Sequence, residues 1–149
     1  MIFLEIDPGL GFPPELLERA ATATLTLVTA PDADLTLVLT GDERLQTLNR
    51  DFLGRDAPTD VISFPADETD PETGRRYLGD VVISLPRAGE QAMLRGHTRE
   101  AEVQLLVVHG VLHLLGHDHA EAQEKARMWA AQTQVLAILG LDKINILDE

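Results

Sequence analysis

An α+β fold is predicted for residues 1–149 as one domain: about four strands in a mixed sheet, about five helices, and a buried central helix that bears histidines. Three observations predict it. Strand-like and helix-like apolar periods follow one another along the chain, as in Leu35–Thr40, which alternates, and Leu45, Leu48 and Phe52, which fall at helical spacing. The run Asp80–Leu85 is nearly continuous Val-Val-Ile, the composition of a strand covered on both faces. From Glu102 to Leu115 the chain is apolar almost all round, as a helix surrounded by protein must be.

In order, Ile2–Asp7 puts Ile2, Leu4 and Ile6 on one face and reads as a half-buried strand. Pro13-Pro14 opens a helix to about Thr29, since proline is tolerated in a first turn. Strand Leu35–Thr40 follows, and Thr40 with Glu43 three residues on reads as a capping box for a helix that Gly54 ends. Asp60–Phe64 is a short strand between prolines. Ala66–Tyr77 is polar and reads as a flexible connection, either a plain surface loop or a cover over the site. After strand Asp80–Leu85, Pro86 starts a short helix to about Leu94. Thr98 is an N-cap for the central helix, Arg99–Leu115, with Glu100 and Glu102 at its positive end. Ala120–Leu139 is a last amphipathic helix with Ala122, Ala126, Trp129, Thr133 and Leu136 along one stripe.

The 149 residues carry 44% hydrophobic side chains, enough for one core and too many for disorder. There is no cysteine, so disulfides and thiolate metal sites are excluded and a transition metal would need histidine and carboxylate ligands. The N-terminus lacks the pattern of a signal peptide, and no apolar run reaches the ~20 residues of a membrane span. A cytoplasmic protein without membrane association is expected. The formal charge of −13 opposes nucleic-acid binding at long range, unless basic residues gather at one mouth. Arg50 and Arg55 form one basic group, and Arg95, His97 and Arg99 another. A solvated surface is the alternative for both.

Four of the five histidines lie between His109 and His119. His109 and His113, four apart on a helix, project from one face and can meet one divalent cation. Gly116 can end the helix and let the chain bring His119 to the same ion. The spacing His-x-x-x-His-x-x-Gly-x-x-His is that of the metzincin site, but the glutamate that serves those proteases as general base is Gly110 here. His117 is the alternative third ligand if the helix runs on unbroken. Asp118 is either the orienter of a ligand histidine or, with Glu121 three residues on, the N-cap of the last helix. Gly110 inside a helix costs about 1 kcal/mol against alanine, so a close neighbour is expected there.

The stretch His109-Gly-Val-Leu-His-Leu-Leu-Gly-His-Asp-His119 resembles the signature of the YbeY family of bacterial metal-dependent endoribonucleases, which act in ribosomal RNA maturation. Asn49–Pro65, with Pro58-Thr-Asp-Val-Ile-Ser-Phe-Pro65, and Leu78-Gly-Asp-Val-Val-Ile-Ser84 are similar to the same family, in family order. The chain departs from the pattern at His117, where an aromatic residue is usual, and at Leu53, where an arginine is. The resemblance implies the same architecture and a single-stranded RNA substrate from ribosomal RNA precursors, with the small ribosomal subunit as a partner and no DNA. Three neutral histidines leave an open coordination position, which marks a catalytic site; zinc is expected first, one per chain, with nickel, cobalt, copper or iron admitted by the same donors. The sequence assigns no general base. Arg55, or else Arg50, is the candidate to supply the charge that Leu53 does not, as substrate-binding and catalytic group. Two rival readings stand beside this one: a metalloprotease-like peptidase, and a non-catalytic ribosome-assembly factor with a structural metal.

Overall fold

A computed structural model describes residues 1–30, 32–116 and 122–144. Four strands form one mixed sheet: β1 (Ile2–Ile6), β2 (Asp34–Thr40), β3 (Val61–Thr69) and β4 (Arg76–Ser84), in the order β1-β2-β4-β3. β1 pairs parallel with β2 and β2 parallel with β4, whereas β3 runs antiparallel to β4. Five helices complete the fold: α1 (Pro14–Leu27), α2 (Asp42–Leu53), α3 (Leu85–Arg95), α4 (Arg99–Leu114) and α5 (Ala122–Ile138). This is the α+β arrangement that the alternating periods predict.

One face of the sheet carries the main core. Leu35, Leu37 and Leu39 of β2 and Val81 and Ile83 of β4 point into it, alternate residues of each strand as the pleat requires. α1 and α4 close over them with Leu17, Ala20, Ala21 and Leu25 on one helix and Val103, Val107, Val111 and Leu112 on the other. Twelve of the sixteen residues of α4 are buried, so the all-round apolar character of its sequence is met by contacts on every side. Each fully buried Val or Leu there is worth about 1.5–3 kcal/mol against exposure, which fixes the depth of the helix. β4, the run read as covered on both faces, is buried at Val81, Val82, Ile83 and Ser84. The opposite face has a smaller cluster of Val38, Leu45, Ile62 and Val82 beneath α2.

Local signals are met in some places and replaced in others. Thr98 Oγ1 accepts from the Ala101 N–H at 3.1 Å and caps α4 as expected. Thr40 does not cap α2: its hydroxyl donates to Asp7, the N-cap position falls to Gly41, and the helix starts at Asp42. Phe52 is not on the buried face of α2; it is 66% exposed and meets Phe64 edge-on, while Asn49 is buried in its stead. Ala66–Tyr77 is not a loose connection. β3 and β4 extend through it as a hairpin whose turn is held by Asp70, with its Oδ1 accepting from the Glu72 N–H at 2.8 Å and its carbonyl from the Gly74 N–H at 2.8 Å. Arg75, next to that turn, forks onto Asp34 of β2 through Nε, 3.1 Å from each carboxylate oxygen. That guanidinium first, and the α-amino group of Met1 second, hold the Asp34 carboxyl at about 2 instead of the usual 3.8.

The stripe that α5 buries also differs from the one its sequence suggests. Ala122, Ala126 and Thr133 are exposed; Met128, Gln132 and Val135, with Leu136 beside them, face the core. No helix among the described residues is long and apolar enough to cross a membrane.

Candidate metal centre

The site is built on the C-terminal half of α4. His109 and His113 stand one turn apart, half-buried, with ring centroids separated by 4.7 Å and ring planes at 70°. Their Nε2 atoms face each other at 3.2 Å. Two nitrogens bound tetrahedrally to one cation at the Zn–N distance of ~2.0–2.1 Å would lie about 3.3–3.4 Å apart, so this pair already has the edge length of such a site. Neutral imidazole donors suit a borderline transition metal better than calcium or magnesium.

The other ring nitrogen of His109 is committed elsewhere. Its Nδ1 lies 3.2 Å from Oε1 of Gln132, a buried residue of α5. The sequence reading passed over Gln132. The signal available was a polar side chain inside an otherwise apolar stripe, between Met128 and Val135.

Gly110, between the two histidines in the chain, packs directly against the sheet. A Cβ on Gly110 would lie 2.5 Å from Cγ1 of Val81 and 3.3 Å from Oγ of Ser63. Ser63 of β3 donates its hydroxyl to the Gly110 carbonyl at 3.0 Å and so pins the helix to the strand at that level. The position facing β4 has no room for a side chain, which excludes a glutamate in the place where the metzincins carry their base.

α4 ends where the spacing predicted. Its last helical residue is Leu114, the Gly116 N–H bonds the His113 carbonyl at 3.0 Å, and Gly116 has φ +93°, a conformation that glycine adopts without strain. An unbroken helix through residue 117, the condition for His117 as third ligand, is therefore not met. His117, Asp118 and His119 themselves lie outside the described residues, so the third-ligand and capping assignments do too; among the described residues no group of three metal-ligating side chains occurs.

The basic candidates divide. Arg95 and His97 are not an open patch. Arg95 Nη1 and His97 Nε2 bond the two carboxylate oxygens of Glu102 at 2.8 and 2.6 Å, and all three side chains are buried at the start of α4. Arg99 donates to the Gly11 carbonyl at 2.8 Å and covers the Phe12 ring. Arg50 is exposed on the last turn of α2 and turned to Asp51, 3.0 Å away. Arg55 is exposed just beyond Gly54, with its backbone N–H on the Asn49 carbonyl at 3.2 Å. Asn49 in turn donates to the Ala57 carbonyl at 2.8 Å, which folds this loop against the end of α2.

A helix-borne histidine pair, braced by one strand and opposed by an α5 amide on an α+β scaffold, defines a candidate metal centre of the hydrolase kind. Residues 14–140 match the family described as Endoribonuclease YbeY. The chain is 43% identical to the endoribonuclease YbeY of Chloroflexus aurantiacus, over 95% of this chain and 97% of that one. It is 41% identical to that of Geobacillus kaustophilus, over 87% and 88%. The solution structure of TM1509 from Thermotoga maritima superposes with a TM-score of 0.62 at 26% identity, covering 96% and 94% of the two chains. The chain belongs to the YbeY family.

Proposed function

We infer that the protein is a metal-dependent endoribonuclease that cuts single-stranded RNA. Ribosomal RNA precursors are its substrate class, the small ribosomal subunit is the setting and the cytoplasm the compartment. The observation that carries this reading is the 3.2 Å approach of the His109 and His113 Nε2 atoms, in a chain whose relatives bear the name endoribonuclease. We assign one zinc ion to these two side chains and His119. When bound there, a divalent cation would supply Lewis acidity toward a phosphoryl oxygen and toward water.

The chain's own residues supply the rest. His109 and His113 orient their lone pairs, and Ser63 and Val81 fix the helix segment between them. A phosphodiester gathers negative charge as it is attacked, and a guanidinium can meet two of its oxygens at once. Arg55 is the better donor of that charge, because the Arg50 guanidinium is already paired with Asp51. The loop carrying Arg55 runs directly into β3, whose Ser63 touches Gly110. Three residues of strand, about 10 Å, separate Asp60 at the loop's end from Ser63. The peptidase reading is disfavoured because Gly110 leaves no space for a base.

Single-stranded RNA should be cut by the zinc-loaded protein, with loss of cleavage on chelation and in His113→Ala, and unfolded casein should stay intact. Arg55→Ala should lower the rate at least tenfold, about 1.4 kcal/mol of transition-state stabilisation, with zinc content unchanged. Casein digestion that disappears in His113→Ala would overturn the substrate assignment. RNA cleavage unaffected by chelator and by His113→Ala would overturn the metal.

A further inference from the structure

The reading of a metal at His109 and His113 leaves the buried polar side chain beside His109 to be explained. Gln132 is 4% exposed and lies in the stripe that α5 turns to the core, with Met128 one turn before and Val135 one turn after. An amide taken out of water costs about 1–3 kcal/mol unless it finds a partner. Methionine would fill the same volume at no such cost. The partner that Gln132 has is Nδ1 of His109, 3.2 Å from its Oε1.

That contact has a chemical consequence. A neutral imidazole carries one N–H, and which nitrogen bears it decides which can ligate. An amide oxygen can only accept, so it draws the proton to Nδ1 and leaves Nε2 with its lone pair. Nε2 is the atom that faces His113 Nε2 at 3.2 Å. With the amide turned over, its NH₂ would donate to Nδ1, force the proton onto Nε2 and disable the ligand. Gln132 also comes from a different helix. It ties α5 to α4, so the ring plane of His109 is referenced to both helices.

We propose that Gln132 is the positioning residue of this centre: its carbonyl oxygen holds the His109 Nδ1 proton and so fixes Nε2 as the metal-binding nitrogen. The inference rests on the metal reading above and adds a residue that touches neither metal nor substrate. The choice of an amide over a carboxylate is part of it. A carboxylate there would make the imidazole more basic and bind the cation more tightly, at the cost of a buried charge whenever the metal is absent. A neutral acceptor orients the ring without that cost.

The test measures zinc affinity by competition with a chromogenic chelator on metal-free protein, with the thermal midpoint of the metal-free state recorded in parallel. Gln132→Met keeps the volume and removes the acceptor. It should weaken zinc binding 10–100-fold while the metal-free midpoint holds or rises. Gln132→Glu restores an acceptor and should bring affinity back to wild type or above. In the zinc-loaded wild type, a nitrogen-15 correlation spectrum should show His109 with a slowly exchanging Nδ1 proton; the Met variant should lose that protection. A merely structural glutamine would, on replacement, lower the midpoint and leave zinc affinity and the His109 spectrum alone. Gln132→Met binding zinc as wild type does, while His113→Ala binds none, would overturn the positioning role and leave the metal site standing. Zinc binding that survives His113→Ala would remove the site and the role together.

Discussion

At the scale of single residues, Gly110 sets the terms for the site around it. Alanine is the better helix former by about 1 kcal/mol, yet its Cβ would stand 2.5 Å from Cγ1 of Val81. Val81 is fully buried and β-branched, so it has no spare rotamer to move into. Overpacking of this kind costs about 1–3 kcal/mol, more than the helix gains. Gly110→Ala should therefore lower stability in urea. Adding Val81→Ala to Gly110→Ala should cost less than Val81→Ala costs alone, because each change then makes room for the other. Strictly additive losses would show that the close approach is not what requires glycine. Both the histidine spacing and this glycine were legible in the sequence, because each is a local fact: an i, i+4 relation and a helix-disfavouring residue in an apolar run. Gln132 was not, because its partner lies 23 positions away on another helix, and from the sequence alone a buried amide looks like a break in the stripe.

At the scale of elements, the junction of α3 and α4 is held by charge. Glu102 is 0% exposed and bonds both Arg95 and His97, whose side chains are each 7% exposed. The three residues bracket the turn at Gly96, so the cluster fixes the angle at which α4 enters the core and hence the level at which His109 and His113 emerge. Removing the carboxylate of the buried Arg95–Glu102 pair leaves the guanidinium uncompensated and costs about 3–5 kcal/mol. Glu102→Ala should lose that much in chemical denaturation, and Glu100→Ala, at an exposed pair with Arg99, under about 0.5 kcal/mol. A loss below about 1 kcal/mol in Glu102→Ala would show the cluster to be incidental. Elements beyond the core were the least legible. The β3–β4 hairpin projects past the core with polar residues on both faces, so it shows no alternation to read; its marks are the Asp70 turn and the pairing itself. The cap of α2 failed for a related reason: the Thr40 hydroxyl found a long-range partner in Asp7 and left the local one unused.

At the scale of the whole molecule, a charge of −13 has to be reconciled with RNA. At least six of the twelve Lys and Arg side chains face a carboxylate: Arg44 faces Glu5 and Asp7, Arg50 meets Asp51, Arg75 meets Asp34, Arg87 meets Asp42 and Glu90, Arg95 meets Glu102, and Arg99 meets Glu100. That reduces the positive charge open to phosphates, and binding should release few counterions. For a non-cleavable 2′-O-methyl RNA, two to three phosphate contacts give a slope of log Kobs against log salt of about −1.5 to −2. Fluorescence anisotropy from 50 to 300 mM salt would measure it, and a slope steeper than about −4 would mean a basic surface that this charge pattern does not provide.

The strand order has a consequence for how copies of the chain meet one another. Among the described residues, a sheet ordered β1-β2-β4-β3 leaves the outer rims of β1 and β3 without a strand partner, and each is a row of backbone groups that could continue the sheet with a neighbour. β3 is blunted: Pro65 has no N–H to offer, and the pairing slips between Pro65 and Glu68, which breaks the even spacing that an added strand would need. β1 has neither device. It is a regular five-residue strand with Phe3 half-exposed, and the charge of Glu5 is the deterrent on its outward face. The hazard of edge-to-edge aggregation is thus unequal, and it is concentrated at the first strand of the chain.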